Sequence, residues 1–295
     1  MRLKESLERG LEIIKNDKDI APGTYKFYKA HLLHFYGFLE ENHPDVKTIK
    51  KINIDVLEKY QKHQEKTCCG ETINKRIISI KKLYQMLKID FGFADELKKY
   101  NKSKVHFDMV ELEDVHVIRK TVFSWDDSIG NNLLHKCFLI ILSETGIRRS
   151  ELMYLEKKDF DFKNCLITLN SHTKTKKVRT VYFTEESKTI LKKMHDIQHD
   201  HKLFFHNIVK NEPANFKSLD WFIKRIKTEL NIELLHPHMF RHFFVTTWLN
   251  NGGTLKEVQA VSGIETLAVL NIYWHLAKEK VRESYNQRFN AVLKY

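Results

Sequence analysis

Apolar residues recur at three- and four-residue spacing through the first third of the chain, a pattern that predicts amphipathic helices. The segment 21–42 carries one such stripe, formed by Tyr25, Tyr28, Leu32, Phe35 and Leu39. The segment 50–66 carries a second, with Ile54, Leu57 and either Tyr60 or Gln61 on one face. A third helix is predicted over 71–90, with apolar residues at Ile73, Ile77, Ile80, Leu83, Tyr84 and Leu87.

The polar side of the third predicted helix is basic and carries Lys75, Arg76, Lys81 and Lys82. Solvation and contact with DNA phosphates are both open interpretations of these residues. After this helix the apolar periodicity weakens in a polar, lysine-rich stretch that is typical of a linker. We therefore place a domain boundary near Ser103, which gives domains of 1–103 and 104–295.

The second domain mixes helices with a small sheet. The apolar run from Leu133 to Leu142 predicts a buried helix that breaks at Gly146, and a new helix is expected to start around Arg148. Two β-rich runs, 165–169 and 178–183, flank a polar, lysine-rich segment and predict a hairpin. Further helices are expected after Thr184, at Pro237, and at Thr254, where Glu257 completes a capping box. The fold is predicted to be mainly α.

Length and composition fit two such domains, since 295 residues with 42% hydrophobic side chains can form two cores. No run of 18 apolar residues predicts a membrane span, and the charged amphipathic N-terminus lacks the apolar core of a signal peptide. We therefore expect a cytoplasmic protein without membrane contact.

Cysteine and histidine spacing does not indicate a metal site. The four cysteines form no CxxC pair, and the 16 histidines include no HExxH-like ligand pair. Reduced thiols are the expected state, and no metal or other cofactor is predicted.

The chain is strongly basic, with a net charge of +12 and a pI near 9.3. Both predicted domains share the excess of lysine and arginine over acidic residues. A polyanionic partner is therefore expected.

Charged side chains also stand at structural breaks of the second domain. Arg148 follows Gly146 at a predicted helix start, and Lys174 lies in the middle of the hairpin loop. His238 and Arg241 are three residues apart in the first turn of another helix, so they share one face. Two arginines, a histidine and a lysine that converge would form a pocket for a phosphodiester.

The order of these residues resembles that of the tyrosine recombinase (integrase) family. "TGIRRSEL" resembles the first arginine motif, and "HPHMFRHFFVTTWLNNGG" resembles the second box. "GIETLAVLNIYWHL" resembles the third box, which ends in the nucleophilic tyrosine. Residues 24–90 look like the family's N-terminal helical DNA-grasping domain. The resemblance covers most of the chain, and its motifs agree in order and spacing in several separate places.

The resemblance implies a role for each residue. Tyr273 takes the position of the nucleophile, Arg148 and Arg241 bind the phosphate, His238 assists the proton transfer, and Lys174 protonates the departing 5′ oxygen. A tyrosine needs such help, since its hydroxyl has a pKa of about 10 in water. The fold implied is an N-terminal helical core-binding (SAM-like) domain followed by a mixed α/β catalytic domain. Glu151 is interpreted as a residue that orients the site.

Two positions depart from the family pattern. Ile264 stands where the family has a histidine or tryptophan, and it cannot donate a hydrogen bond to phosphate, so weakened cleavage is expected. His275 is a candidate substitute. Thr173 and Thr175 replace the glycines that usually flank the lysine, which leaves Lys176 and Lys177 as alternatives to Lys174 and as candidate DNA contacts.

The implied function is site-specific recombination or integration through a 3′-phosphotyrosyl intermediate, without metal or ATP, in the manner of a simple Xer-like enzyme. Type IB topoisomerase activity and a cleavage-impaired DNA-binding protein are the alternatives. The expected partner is double-stranded DNA with paired sites, bound by a homotetramer that is a monomer or dimer when free. The tail from about residue 276 would dock on a neighbouring subunit or pack on its own domain.

Overall fold

A computed structural model of the chain describes residues 2–101, 112–170, 178–264 and 270. The chain divides into two compact units, Met1–His106 and Phe107–Tyr295. The boundary predicted near Ser103 falls in 102–111, outside the described residues, as does the tail from about 276.

The first unit is helical. Its helices are α1 (Leu3–Asn16), α2 (Pro22–Asn42), α3 (Ile54–Glu65) and α4 (Gly70–Met86), with short 3₁₀ turns at Ile49–Lys51 and Gly92–Glu96. Their apolar stripes meet in one core that includes Leu32, Leu57 and Ile80, each with no exposed side-chain surface. Tyr60 and Gln61 are both buried, so the second predicted face contains both.

The second unit combines helices with a small antiparallel sheet. Its helices are α5 (Leu112–Ser124), α6 (Asn132–Thr145), α7 (Arg149–Met153), α8 (Glu185–Asp196), α9 (Phe216–Leu230), α10 (Pro237–Asn250) and α11 (Leu255–Ser262). A 3₁₀ turn at Lys157–Asp159 leads into β1 (Phe160–Asp161), which pairs with β2 (Leu166–Leu169), and β2 pairs with β3 (Arg179–Tyr182). The predicted hairpin is β2–β3, with Ile167 opposite Val181. The two-residue strands β1, β4 (His206–Asn207) and β5 (Glu212–Pro213) were not predicted.

The apolar helix α6 forms the centre of this unit and contacts α5, α8, α9 and α10. Every residue from Asn132 to Ser143 is buried, because neighbouring elements surround the helix. Local signals set the helix ends as predicted. The side chain of Thr184 accepts a hydrogen bond from the backbone of Ser187, and Thr254 and Glu257 form a capping box at the start of α11.

Candidate active site

The turn between α6 and α7 places the first arginine of the predicted site. Gly146 ends α6 with a φ of +58°, a left-handed conformation that favours glycine. A Cβ at this position would lie 2.4 Å from Cδ1 of Phe244 on α10, so the backbone also approaches that ring too closely for any side chain. The turn therefore packs against α10 two residues before Arg148, which is the N-cap of α7.

The Arg148 side chain is held at both ends of its guanidinium. Nη1 donates to Oε1 of Glu151 at 2.8 Å, and Nη2 donates to the carbonyl oxygen of Gly263 at 2.5 Å. The backbone N–H of Arg148 donates to the other Glu151 oxygen at 2.9 Å. About a third of the side chain, 32%, stays exposed. Arg148 is thus fixed in position while one part of it faces solvent.

Glu151 also joins a second arginine, which the sequence did not single out. Nη1 and Nη2 of Arg179 donate to Oε1 and Oε2 of Glu151 at 2.9 and 2.6 Å, and Nε donates to the carbonyl oxygen of Val261 on α11. Desolvation would raise the pKa of Glu151, but hydrogen bonds from Arg179 and Arg148 outweigh it and hold that pKa below its ordinary value. The carboxylate is therefore charged at neutral pH and links α7, β3 and α11.

Arg241 approaches the same turn from the first part of α10. Its side chain is buried, and Nη1 donates to the carbonyl oxygen of Gly146 at 2.7 Å. Since Gly146 precedes Arg148 by two residues, this bond brings the side chain of Arg241 to the turn that carries Arg148.

His238 lies one helical turn before Arg241 and is exposed. Desolvation by the packed protein lowers the pKa of His238, and the nearby charges of Arg241 and Arg148, together with His236, lower it further. Its ring meets that of His242 edge-on, with centroids 4.5 Å apart. His242 is buried, and burial lowers its pKa to about 3. His238 is therefore neutral at neutral pH and lies within electrostatic reach of both arginines.

The structure thus brings together Arg148, Glu151, His238 and Arg241. Tyr273, Lys174, Lys176, Lys177 and His275 lie outside the described residues. Leu270, three residues before Tyr273, is fully buried in the core of the second unit. Ile264 is also buried, as expected for a packing residue.

The predicted basic residues of α4 do not form a single face. Nζ of Lys75 pairs with Glu71 at 2.8 Å, whereas Nζ of Lys81 pairs with Asp95 at 3.3 Å, beside the 3₁₀ turn that follows α4. Nη1 of Arg76 lies 3.2 Å from Nε2 of His34 on α2, and Lys82 is half-buried. At about 100° per residue, Lys81 points roughly 120° away from Lys75. These side chains therefore serve different neighbours.

Sequence reasoning missed Arg179 because a lone arginine after a lysine-rich loop has no motif of its own. The available signal was the position of Arg179 at the start of a strand, because alternate side chains of a strand point to opposite faces of the sheet. It also missed a group of potential metal ligands. Within the described part of the chain, the ligand atoms of His199, His201 and His206 lie close enough together to hold one metal ion.

Among the described residues, no helix is long and apolar enough to span a membrane.

Two family models match the chain. Residues 124–280 match the phage integrase family, and residues 7–89 match the phage integrase N-terminal SAM-like domain. Among curated relatives, tyrosine recombinase XerC of Lactobacillus leichmannii is 27% identical over 304 residues, which cover 96% of this chain and 98% of the relative. A probable integrase/recombinase of Acholeplasma phage L2 is 29% identical over 228 residues, covering 75% of this chain and 77% of the relative.

Solved structures agree on the fold. The XerH site-specific recombinase bound to a palindromic difH substrate, in a post-cleavage complex, is similar with a TM-score of 0.71 and 19% identity over 93% of this chain and 82% of that one. The predicted fold class and family are confirmed. The chain belongs to the phage integrase family, whose members include the tyrosine recombinases.

Proposed function

We propose that this chain is a site-specific DNA recombinase that cuts and rejoins strands through a 3′-phosphotyrosyl intermediate. Family membership supports the reaction class. The observation that carries the assignment of residues is the convergence of Arg148, Arg241 and His238 on the turn after α6.

The two arginines bind the scissile phosphate. Attack on phosphorus builds negative charge on the non-bridging oxygens, and guanidiniums that are already fixed stabilise this charge without reorganising. Arg148 is fixed by Glu151 and Gly263, and Arg241 by the carbonyl of Gly146. Glu151 and Arg179 act as positioning residues, since their mutual bonds hold the carboxylate that orients Arg148.

His238 assists the loss of the proton from the nucleophile. A base must be unprotonated to accept a proton, and the lowered pKa of His238 keeps its imidazole neutral at physiological pH. Tyr273 supplies the nucleophile. Leu270 supports this assignment, because it anchors the chain in the core of the second unit three residues earlier.

Lys174 protonates the 5′ oxygen as that oxygen leaves, with Lys176 and Lys177 as alternatives. The products of cleavage are then a 3′-phosphotyrosyl bond and a free 5′ hydroxyl. The bond keeps the energy of the phosphodiester, so the attack of another 5′ hydroxyl rejoins DNA without ATP.

The partner is DNA. We propose that four copies of the chain assemble as a homotetramer on two paired DNA sites. Residues 1–103 would be the core-binding domain, and the tail from about 276 would link neighbouring subunits. The net charge of +12 supports a polyanionic partner.

The experiment that tests the chemistry uses nicked suicide duplexes, incubated with the full chain in the presence of a chelator. We expect a covalent adduct on a denaturing gel and a phosphorylated Tyr273 peptide by mass spectrometry. Tyr273→Phe removes the adduct but leaves DNA binding, whereas the exposed Tyr154→Phe keeps both. An adduct on any other residue contradicts the assignment.

Ile264 favours a second candidate, a DNA-binding protein whose cleavage is impaired. This residue is 7% exposed and has no group that can donate to phosphate. Ile264→His separates the candidates in a single-turnover cleavage assay. A rise in rate identifies the missing donor as the limitation, while a rate unchanged from an active wild type removes this candidate. Relaxation of supercoiled DNA without recombination between sites would instead identify topoisomerase-like activity.

A further inference from the structure

Three histidines meet where the connection after α8 enters β4. Their ligand nitrogens, one from each of His199, His201 and His206, lie within 4.8 Å of one another. The rings of His199 and His201 stack with centroids 3.6 Å apart, and Nε2 of His201 lies 2.9 Å from Nδ1 of His206. None of these residues belongs to the proposed recombination site.

The backbone around this cluster is held in place. The N–H of Phe204 donates to the carbonyl of Leu155 at 2.8 Å, and the N–H of Lys157 donates to the carbonyl of Lys202 at 3.0 Å. Phe204 and Phe205 are buried in the core, and His206 pairs with Pro213 in the β4–β5 ladder. The chain from Lys202 to His206 is therefore anchored to neighbouring elements.

Several ring nitrogens in this cluster lack a well-aligned hydrogen-bond partner among the described residues. Both ring nitrogens of His199 and Nδ1 of His201 are buried and have no well-aligned hydrogen-bond partner among the described residues, although backbone groups of His201 and Leu203 lie near these rings. Burying such a group costs free energy unless something satisfies it. A stack of three imidazoles with unsatisfied nitrogens is hard to explain as packing alone, because phenylalanine or leucine would fill the space without that cost.

We propose that His199, His201 and His206 bind a divalent first-row transition metal ion, with zinc as the first candidate. Imidazole nitrogen is a preferred ligand of zinc, copper and nickel, and three protein ligands leave one position for water. The ion would tie the connection after α8 to the β4–β5 ladder. The site is separate from the proposed strand-exchange chemistry, which uses no metal.

Binding requires a modest local movement. Zinc–nitrogen bonds of about 2.0–2.1 Å in tetrahedral geometry place ligand nitrogens roughly 3.4 Å apart, so the stacked rings must turn until their lone pairs converge. The contact between His201 and His206 is then replaced by bonds to the ion. The nitrogens already lie within 4.8 Å of one another before any such rotation.

The surrounding charges act in both directions. The ammonium of Lys157, which donates to the carbonyl of Ile197 at 2.5 Å, disfavours a cation, and Asp200 favours one.

The test is a calorimetric titration of the full-length protein with zinc chloride, after dialysis against a chelator. We expect one ion per chain. The double variant His199→Gln, His201→Gln should lose more than about 100-fold in affinity, beyond the 10- to 100-fold that loss of an outer-shell partner costs. The matched control is His116→Gln, an exposed histidine on α5, which should bind zinc as the wild type does.

Cobalt provides a second measurement, because its visible ligand-field bands report nitrogen ligation directly. The bands should appear in the wild type and the control and be absent from the double variant, whose far-UV circular dichroism shows that it is folded. If the double variant misfolds, the single variant His199→Gln takes its place. A wild type that takes up no zinc, or a folded variant that binds it equally, overturns the proposal. Neither result affects the proposed recombinase function, which is tested with a chelator present.

Discussion

Arg179 donates one hydrogen bond from each terminal guanidinium nitrogen to the two carboxylate oxygens of Glu151, at 2.9 and 2.6 Å. Both side chains are nearly inaccessible, with 1% of Glu151 and 8% of Arg179 exposed. The same carboxylate binds Nη1 and the backbone N–H of Arg148. Arg148, whose side chain is partly exposed, is therefore supported by a pair of buried side chains.

Glu151→Gln should destabilise the second unit severely. The change leaves the buried charge of Arg179 without its partner, and removing one member of a buried pair costs about 3–5 kcal/mol, with glutamine toward the lower end because it keeps some hydrogen bonds. Urea unfolding measures this cost. Asp55→Asn removes an exposed pair with Lys59 and should cost less than about 1 kcal/mol. Equal costs for the two variants would contradict the role of the buried pair.

Arg148→Lys should abolish most cleavage while Arg149→Lys does not. Lysine cannot bind Glu151, the Gly263 carbonyl and a phosphate at once, and the loss of one fixed donor costs about 10²–10³-fold in rate. The neighbouring Arg149 instead pairs with Asp220 and lies over the ring of Phe216, away from Glu151. Single-turnover cleavage of a nicked duplex, with binding measured by gel shift, compares the two. Similar losses in both variants would place the phosphate elsewhere.

Gly263→Ala should lower stability and slow cleavage together. Gly263 has a φ of +65°, and a Cβ there would lie 3.1 Å from the guanidinium of Arg179. The left-handed conformation alone costs an L-residue roughly 1–2 kcal/mol. Thermal unfolding and cleavage kinetics report the two effects. Gly37→Ala is the control, because this site in α2 has open space around the new Cβ and should gain about 0.5–1 kcal/mol. A neutral Gly263→Ala would show that Arg179 adjusts freely.

Acid should destabilise the second unit well above the pKa range of carboxylates. Burial lowers the pKa of His135 from 6.5 to about 4 and that of His242 to about 3. The unfolded chain binds these protons below pH 6.5 and the folded chain does not, so stability is complete above that pH and falls as pH drops toward 4. Each histidine contributes a slope of about 1.4 kcal/mol per pH unit.

Urea unfolding between pH 7 and pH 4.5 measures this slope. The ring of His135 stacks with those of Trp221 and Phe222. The variant His135→Gln should show a smaller dependence of unfolding free energy on pH than the wild type, even if its absolute stability also changes. His116→Gln, an exposed histidine on α5, should leave the slope as in the wild type. A slope that is unaffected by His135→Gln would assign the acid sensitivity to other groups.

Local sequence signals predicted helix ends well where residues a few positions away determine them. The cap at Thr184, the capping box at Thr254 and the left-handed end of α6 at Gly146 depend on residues within a few positions. The apolar stripe of α4 was also predicted, since helical period fixes which residues are buried together. The basic residues of that helix show the limit. Glu71, Asp95 and His34 decide where Lys75, Lys81 and Arg76 point, and two of those partners lie on other elements.

The sequence alone determined the family, the helical character and the order of the candidate residues, because motif spacing and apolar period are properties of the chain itself. Only the tertiary structure decided what supports Arg148, because Glu151, Arg179 and the carbonyl of Gly263 come from three elements separated by up to 112 positions in the numbering. The meeting of His199, His201 and His206 was likewise decided by the fold, which anchors one connection at Leu155 and Pro213. Contacts between distant segments depend on which faces pack together, and no local spacing encodes that choice.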